Sequence, residues 1–305
     1  MMKHTRHLLS TEHLSEQDVL ALFRRAQFYL SRLQTHQEFP PLLSGKAILF
    51  AFFERSTRTR LSFELAAKKL GATVLQFHTE SSSLGKGETF RDTFRTLNAM
   101  YIDAIVLRHA LPGSAAFLAQ IVDATVINAG DGAHQHPTQA LLDAFTLWNQ
   151  LSELTGKRLC YVGDITHSRV VRSGIALYRT LNVEVAVCGP PTLIPPMMAE
   201  AFNIPVFYRL EEALQWADIV NPLRIQQERI AEGLIPDLKA YFKHYGIHLH
   251  HLEQYPDVLI LHPGPVNWGI ELAPEIQQIP QNLILSQVTH GVAIRAALLE
   301  WLLSQ

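Results

Sequence analysis

The chain has 305 residues, of which 48% are hydrophobic, and this content is enough to fill two globular cores. Its 26 lysines and arginines and 28 acidic residues leave a formal net charge of -2, which excludes binding to nucleic acid or a membrane through overall charge. The longest apolar run, residues 47–53, is far shorter than the roughly 20 residues that cross a bilayer. We expect a soluble, cytoplasmic protein with no nucleic-acid or membrane partner.

Short apolar runs alternate with amphipathic stretches along the chain, which is typical of parallel sheets wrapped by helices. The runs predict strands at 47–53, 73–77, 103–107, 125–128, 158–162, 183–188, 218–220 and 258–261. The stretches predict helices at 15–33, 57–70, 89–100, 137–151, 168–180 and 292–303. Because the runs are continuously apolar, both faces of each sheet are expected to be covered by helices.

The stretch that begins at Pro137 is the predicted bridge between two domains, since four predicted strands precede it and four follow it. We predict an α/β fold with two domains, each a mostly parallel sheet, and an active site in the interdomain cleft. The first domain is residues 1–136 plus a C-terminal helix at about 289–305, and the second is 137–288, with 137–151 as the bridging helix. Cys160 and Cys188 lie in apolar runs, which predicts reduced core residues.

The segment FFERSTRTR, residues 52–60, passes from the end of a predicted strand into a helix. Its hydroxyl groups and a guanidinium stand beside backbone N–H groups that no helical carbonyl satisfies, an arrangement that binds phosphate. The residues concerned are Ser56, Thr57, Arg58 and Thr59. The alternative is a serine cap followed by solvated arginines. Ligands of open α/β sheets bind beyond the carboxyl ends of strands, so phosphate binding is favoured.

Two nucleotide-binding motifs are absent from the sequence. The segment LGKGET, residues 84–89, contains Gly-Lys, but Lys86 is followed by Gly87 and the spacing of a P-loop is missing. After the predicted strand at 158–162, Gly163 stands alone, so the glycine pattern of dinucleotide-binding proteins is missing as well. The sequence therefore predicts a phosphate site without a nucleotide motif.

Further polar residues also follow predicted strands. In DGAHQHPTQ, His136 precedes a proline and is held in extended geometry, while Gln139 offers both a donor and an acceptor. Arginines follow three other strands, at Arg108, Arg169 and Arg224. A single loop histidine or surface arginine is commonly structural. Several guanidinium groups at strand ends favour small, multiply charged substrates, such as a dicarboxylate together with a second anion.

Taken in order, these segments resemble aspartate carbamoyltransferase catalytic chains over about residues 5 to 303. The matching segments are FFERSTRTR, SSLGKGET, VLRH, HPTQALLD, GDITHSRVVRS, LRIQQER, HPGPVN and QVTHGVA. The STRTR and HPxQ segments are shared with ornithine carbamoyltransferases. The second half of the chain distinguishes the aspartate from the ornithine enzymes, because the ornithine enzymes carry an HCLP-type segment where this chain has HPGP.

The resemblance implies that the carbamoyl group of carbamoyl phosphate is transferred to L-aspartate, a step of pyrimidine biosynthesis. Residues 56–59 would hold the phosphate, with Arg108 bridging the phosphate and the carbonyl oxygen. Thr59, Arg108 and His136 would polarise the carbonyl. The carbamoyl NH₂ would contact Gln139 and backbone carbonyls around Pro263 and Gly264. No metal and no organic cofactor are implied.

For aspartate, the resemblance implies that Arg169 holds the α-carboxylate and that Arg224 and Gln226 hold the side-chain carboxylate. Ser83 and Lys86 would lie on a loop that reaches into a neighbouring subunit's site, so a homotrimer or a multiple of trimers is implied. In the closed enzyme, Glu54 would contact the two arginines Arg169 and Arg229. Regulatory chains or pathway enzymes are possible further partners.

Some positions depart from the family pattern. Trp268 stands where arginine is common, His290 where asparagine is common, and Asn221-Pro222 where two apolar residues are usual. None of them is a residue assigned to chemistry. Two alternatives to the implied activity are a non-catalytic scaffold within a pyrimidine-pathway assembly and an ornithine-type carbamoyltransferase.

Overall fold

Strands and helices alternate along the chain, as the pattern of apolar runs predicts. The structure is a computed structural model, and it describes residues 7–77, 87–225 and 237–304. Within these ranges the chain forms nine strands and eleven α-helices, and none of these helices combines the length and hydropathy needed to cross a membrane. The predicted α/β class is confirmed.

Chain contacts divide the protein into two units. Unit 1 consists of Met1–Phe145 and Val288–Gln305, and unit 2 consists of Thr146–Gln287. The division falls inside the helix Pro137–Leu151, whereas the sequence placed the domain boundary at the start of that helix. Phe145 packs against Phe23 with ring centroids 5.7 Å apart, which keeps the first part of the helix in unit 1.

Unit 1 contains a four-stranded parallel sheet. Its elements are α1 (Glu16–Gln34), β1 (Ala47–Phe52), α2 (Thr57–Lys69), β2 (Thr73–Phe77), α3 (Phe90–Asn98), β3 (Ala104–His109), α4 (Ser114–Ala119), β4 (Thr125–Asp131), the first part of α5 (Pro137–Leu151) and the last part of α11 (Ile284–Leu303). The strand order is β2-β1-β3-β4. The chain therefore reverses its direction of winding between β1 and β3, and such a switch point is where α/β sheets bind ligands.

The inner strands of this sheet are buried because their side chains are apolar on both faces. Ile48 and Phe50 of β1 and Ile105 and Val106 of β3 are all 0% exposed. Strand β2 differs, since it lies at the sheet edge and exposes alternate residues, including Leu75. An exposed edge strand with an apolar side chain is a surface on which another chain can pair or pack.

Unit 2 contains a five-stranded parallel sheet in which the order again reverses once. Its elements are β5 (Arg158–Val162), α6 (Arg169–Thr180), β6 (Glu184–Cys188), α7 (Met198–Phe202), β7 (Val206–Phe207), α8 (Leu210–Trp216), β8 (Ile219–Pro222), α9 (Leu238–Tyr245), α10 (Leu249–Gln254) and β9 (Leu259–Ile260). The strand order is β7-β6-β5-β8-β9, so the switch point lies between β5 and β8. Cys160 and Cys188 are buried and reduced in its core, as predicted.

All eight predicted strands are present, with ends that shift by a few residues at most. Strand β7 was missed because it has only two residues, too few for a periodic pattern. The short helices α4, α7, α8, α9 and α10 were missed for the same reason, since the longest of them has 8 residues. Helix α11 starts earlier than predicted, at Ile284 rather than at residue 292.

Candidate active site

The structure places the candidate phosphate residues at one edge of the unit 1 sheet. Residues 56–59 follow β1, Arg108 is near the end of β3, and His136 follows β4. Strands β1, β3 and β4 are neighbours in the sheet, and parallel strands end at the same edge. Since β1 and β3 also flank the switch point, these segments occupy the place where an α/β sheet binds its ligand.

Helix α2 begins at the candidate phosphate segment. Ser56 is its N-cap residue and has an extended backbone, and its hydroxyl makes no capping hydrogen bond with the described residues of the helix. The first turn of α2 contains no acidic residue. Thr59 is buried, whereas Arg58 is exposed. A helix start with hydroxyl groups and a guanidinium, and without a carboxylate in its first turn, attracts an anion.

Arg108 is anchored beside this helix start. In the parallel register it lies opposite Phe52, the last residue of β1, and its carbonyl accepts the backbone N–H of Phe53 at 2.8 Å. Its Nε lies 3.6 Å from Oε2 of Glu54, and its Nη1 donates to the carbonyl of Ala129 at 3.4 Å. These contacts hold the guanidinium at the sheet edge where α2 begins.

His136 and Gln139 lie at the start of α5. His136 is 4% exposed, and its carbonyl accepts the N–H of Gln139 at 3.0 Å. Gln139 is 7% exposed, and its Nε2 donates to Oδ1 of Asp143 at 2.8 Å. Burial and hydrogen bonding thus restrict both residues before a ligand binds, which reduces the entropy lost on binding.

In unit 2, the candidate carboxylate-binding arginine lies at the start of α6, beyond the end of β5. Arg169 is 8% exposed, and Ser168 before it caps the helix by accepting the N–H of Val171 at 3.3 Å. One residue earlier still, Nδ1 of His167 lies 3.0 Å from the buried carboxylate of Asp164. The cap and the carboxylate together fix the loop that carries Arg169.

The remaining described candidates of unit 2 follow the two neighbouring strands. Arg224 follows β8, and Pro263 and Gly264 follow β9. The order β5-β8-β9 places these segments at the same sheet edge as Arg169. Because β5 and β8 flank the switch point, unit 2 repeats the arrangement of unit 1, in which an arginine lies at or after the carboxyl end of each flanking strand.

One buried carboxylate joins the loop after β8 to the loop after β9. Glu271 is 1% exposed, and it accepts the N–H of Ile225 at 2.8 Å and the N–H of Asn267 at 2.6 Å. The side-chain amide of Asn267 also donates to Glu271 at 2.7 Å, and Nε2 of His262 lies 3.7 Å from it. Glu271 therefore fixes the positions of both loops.

Some predicted site residues lie outside the described residues: Ser83, Lys86, Gln226 and Arg229. Their roles stay predictions. Within the described chain, the Glu54 carboxylate pairs with Arg108. The contacts of Glu54 with Arg169 and Arg229 in the closed enzyme also stay predictions.

The positions that depart from the family pattern differ in how exposed they are to solvent. Trp268 is 37% exposed. His290 is 6% exposed, its ring lies 5.3 Å from the Phe145 ring, and burial lowers its pKa to about 4. Asn221 is buried within β8, and Pro222 is the last residue of that strand, where the missing N–H is tolerated.

Three buried carboxylates that support the site were missed at the sequence level. They are Asp143, Asp164 and Glu271, each at most 1% exposed. A signal existed for Asp143, which stands alone in the apolar stretch ALLDAF four residues after Gln139. A buried acid at that spacing implies a partner on the same helix face. Glu271 has one partner nearby, Asn267, but it lies outside the helices and strands, where no periodic pattern marks it, and its other partner Ile225 lies 46 residues away.

The described residues contain no group of three or more histidine, cysteine or acidic side chains able to hold a metal ion. The two cysteines are poor nucleophiles, because burial raises the pKa of Cys160 and raises that of Cys188 to about 12. The described candidate side chains at these sheet edges offer hydrogen-bond donors and positive charge.

Comparison with known proteins agrees with this geometry. A family model described as the carbamoyl-P binding domain of aspartate/ornithine carbamoyltransferase matches residues 6–149, and one described as the Asp/Orn binding domain matches residues 155–302. The aspartate carbamoyltransferase catalytic subunit of Flavobacterium psychrophilum is 43% identical over 299 residues, which are 98% of this chain and 97% of that one. The corresponding subunit of Gemmatimonas aurantiaca is 50% identical over 260 residues, 85% of this chain and 81% of that one.

A solved structure is similar over almost the same length. The crystal structure of aspartate transcarbamoylase from Trypanosoma cruzi, in complex with N-(phosphonacetyl)-L-aspartic acid, has a TM-score of 0.89 and 29% identity. The match covers 97% of this chain and 95% of that chain. Family models across both units and relatives along nearly the whole sequence lead to one conclusion: this chain belongs to the aspartate/ornithine carbamoyltransferase family.

Proposed function

We propose that this chain transfers the carbamoyl group of carbamoyl phosphate to the amino group of L-aspartate. The amino nitrogen attacks the carbonyl carbon, the bond from that carbon to the phosphate oxygen breaks, and phosphate leaves with the electron pair. The products are N-carbamoyl-L-aspartate and phosphate. The observation that carries the proposal is the pair of sheet edges, each with an arginine at or after the carboxyl end of both strands that flank its switch point.

Carbamoyl phosphate binds at the start of α2. The phosphate oxygens accept hydrogen bonds from the helix N-terminus and from its side chains, which are Ser56, Thr57, Arg58 and Thr59. Arg108 bridges the phosphate and the carbonyl oxygen, and its anchored position beside Phe53 and Glu54 supports this role. A doubly charged phosphate gains most from guanidinium groups, since each offers two parallel donors.

The carbonyl oxygen gains negative charge as the amine attacks. Thr59, Arg108 and His136 donate to it, and each such preorganised donor is worth about 10²- to 10³-fold in rate. Gln139, together with backbone carbonyls around Pro263 and Gly264, accepts from the carbamoyl NH₂. The low exposure of Thr59 and His136 supports preorganisation, because buried side chains need little rearrangement.

Aspartate is held by its two carboxylates. Arg169 binds the α-carboxylate, and Arg224 with Gln226 binds the side-chain carboxylate. The transfer is direct, since the buried cysteines do not supply a thiolate. The departing phosphate accepts the proton that the amine loses. The protein also holds the two small charged reactants in a reactive geometry, which provides much of the remaining rate acceleration.

We also propose that the chain forms a homotrimer, or a multiple of trimers, in which Ser83 and Lys86 complete the neighbouring subunit's site. Exposed apolar residues on unit 1 support an interface. Leu61 and Leu65 lie one turn apart on α2 and are 51% and 43% exposed, and Leu75 on the edge strand β2 is 38% exposed. In a threefold ring, this surface of each subunit packs against the same region of a neighbouring subunit.

A hybrid experiment tests the shared site. Inactive Lys86→Ala chains and inactive Arg58→Ala chains are unfolded together and refolded, and one interface of a mixed trimer then carries neither defect. We expect carbamoyl aspartate formation to recover in the mixture and not in either parent. Mixed trimers without recovered activity, or a monomeric mass in solution, would exclude the composite site.

The proposed activity is tested by a colorimetric assay for carbamoyl aspartate with the purified chain. Product formation from carbamoyl phosphate and aspartate is the expected result. We also propose that the chain acts in pyrimidine biosynthesis and in the cytoplasm. No product above background would favour the non-catalytic scaffold. Citrulline formed from ornithine, instead of carbamoyl aspartate, would favour the ornithine-type activity.

A further inference from the structure

A line of buried polar side chains lies behind Gln139 in unit 1. Gln139 and Asp143 are one turn apart on α5, and Nε2 of Gln139 donates to Oδ1 of Asp143 at 2.8 Å. The exposed fractions of Gln139, Asp143 and Arg295 are 7%, 0% and 3%. A carboxylate with no exposure is retained only where hydrogen bonds and a compensating charge offset its desolvation.

Arg295 of α11 provides that charge. It donates to the carbonyl of Gly291 at 3.1 Å and lies 3.5 Å from the hydroxyl of Thr138, and its guanidinium is 5.1 Å from the centre of the Phe63 ring. Burial lowers the pKa of Arg295 to about 9, and attraction to Asp143 opposes that effect, so Arg295 remains a cation near neutral pH. Arg295 thus joins α11 to the two helices, α2 and α5, whose starts form the candidate site.

This environment fixes the orientation of the Gln139 amide. An amide has a donor end and an acceptor end, whereas an ionised carboxylate only accepts. The reversed orientation would place two acceptors face to face, so Nε2 must point to Asp143. The oxygen Oε1 is then the end that remains to meet a ligand, and it can only accept a hydrogen bond.

We propose that Asp143 is a positioning residue that makes the site select a carbamoyl group over an acetyl group. The proposal rests on the contact of Gln139 with the carbamoyl nitrogen described under the proposed function. Acetyl phosphate has a methyl group where carbamoyl phosphate has NH₂, and the two groups are similar in size. A fixed acceptor gains a hydrogen bond from NH₂ and is left unsatisfied beside methyl.

The test compares two donors with the intact enzyme and aspartate. Values of kcat/KM are measured for carbamoyl phosphate and for acetyl phosphate, whose transfer gives N-acetylaspartate and phosphate. We expect Gln139→Leu to lower the preference for carbamoyl phosphate on the order of 10- to 10²-fold. Asp143→Asn should lower it by about 10-fold, because the new amide can donate as well as accept and therefore no longer fixes the Gln139 amide in one orientation.

A double variant separates positioning from general damage. If Asp143 acts through Gln139, the Gln139→Leu/Asp143→Asn double variant should show no lower preference than Gln139→Leu alone. The matched control is Asp123→Asn, an exposed carboxylate before the amino end of β4, which should leave the preference unchanged. Melting temperatures are recorded for every variant.

Three outcomes would overturn the proposal. First, Asp143→Asn could lower kcat/KM for both donors equally, which would indicate a structural role alone. Second, the double variant could show a lower preference than Gln139→Leu alone, which would mean that Asp143 does not act through Gln139. If Gln139→Leu left the preference intact, the proposed contact of Gln139 itself would be wrong, and the positioning role with it. Should Asp143→Asn fail to fold, Asp143→Asn/Arg295→Met removes the uncompensated buried cation and is measured in its place.

Discussion

The two units hold their candidate anion-binding residues in different ways. In unit 1 these residues lie on the first turns of α2 and α5 and at the end of β3, so the regular elements themselves set their positions. In unit 2, Arg169 also lies at a helix start, but the loops after β8 and β9 carry the other described candidates, and the buried carboxylates Asp164 and Glu271 fix the loops after β5, β8 and β9. A helix start is built by adjacent residues, whereas a loop held by a carboxylate depends on a distant partner.

This difference predicts how substitutions act in each unit. In unit 1, an exposed side chain on a helix start can be removed without loss of folding, because the helix keeps its backbone hydrogen bonds. In unit 2, removal of a supporting carboxylate leaves several buried N–H groups without an acceptor, so folding and substrate binding change together. The predictions below test this contrast, from the largest expected effect to the smallest.

Arg58→Ala should lower kcat for carbamoyl aspartate formation on the order of 10²-fold or more, because a preorganised donor to the phosphate is lost. Its stability should stay within about 0.5 kcal/mol of the wild type, since Arg58 is exposed. Steady-state kinetics and urea unfolding measure the two effects. Arg60→Ala, an exposed arginine on the same helix turn, is the matched control, and retention of more than about a tenth of the activity in Arg58→Ala would contradict the assignment.

Arg224→Ala should lower kcat/KM for aspartate on the order of 10- to 10²-fold, because a charge-assisted hydrogen bond to the side-chain carboxylate is lost. Affinity for carbamoyl phosphate, measured by calorimetry, should be nearly unchanged. Arg209→Ala, at an exposed arginine of unit 2, provides the control. An equal loss of carbamoyl phosphate affinity would assign Arg224 to the phosphate site instead.

Glu271→Gln should affect folding and aspartate use together. The new amide has one acceptor oxygen where the carboxylate has two, so a buried N–H of Ile225 or Asn267 loses its partner, which costs about 1–3 kcal/mol. We expect kcat/KM for aspartate to fall about 10-fold as the two loops loosen. The exposed Glu275→Gln serves as the control, and a stable variant with normal kinetics would refute the role of Glu271 as the link between the loops.

The smallest expected effect is on stability at low pH. In each unit, one buried histidine with a strongly lowered pKa contributes to it. Burial lowers the pKa to about 4 for His290 in unit 1 and for His251 in unit 2, with nearby histidines adding to the effect at His251. Between pH 6.5 and 4 the unfolded chain binds more protons than the folded chain, so stability is full above pH 6.5 and falls below it. Because solvent screens both partly buried rings, each histidine contributes a loss on the order of 1 kcal/mol by pH 4.

His290→Asn and His251→Asn should each make the stability less dependent on pH in that window. The asparagine at position 251 can still accept the N–H of His248 and cap α10, so its titration is removed with little other change. Urea unfolding at pH 4.5, 5.5 and 7 measures the slopes. A slope equal to that of the wild type in either variant would show that the histidine in question does not titrate in this range.

The sequence predicted the parts of the fold and the site that local pattern determines. The strands are long apolar runs, and the helix start at Ser56–Arg60 has a distinct composition, so both were visible without coordinates. The sequence indicates that the strands are parallel, but it does not determine their order in each sheet. The two switch points were therefore found only in the structure. Glu271 was missed because a single buried acid has no periodicity and its distant partner Ile225 is supplied by the fold, whereas Asp143 had a local signal in its spacing from Gln139.

The discontinuity of unit 1 has a consequence for the order in which the protein folds during synthesis. Unit 2 is one continuous segment, whereas unit 1 needs α11, which comes after every other described element. Glu300 of α11 pairs with Arg25 and accepts the hydroxyl of Tyr29 at 2.8 Å, so α1 obtains these partners only after α11 has been translated. Since chains emerge from the ribosome N-terminus first, unit 2 can complete its core while unit 1 still exposes the face that α11 will cover. Unit 1 thus stays incomplete until α11 emerges, and a nascent chain halted before α11 presents that apolar face to chaperones.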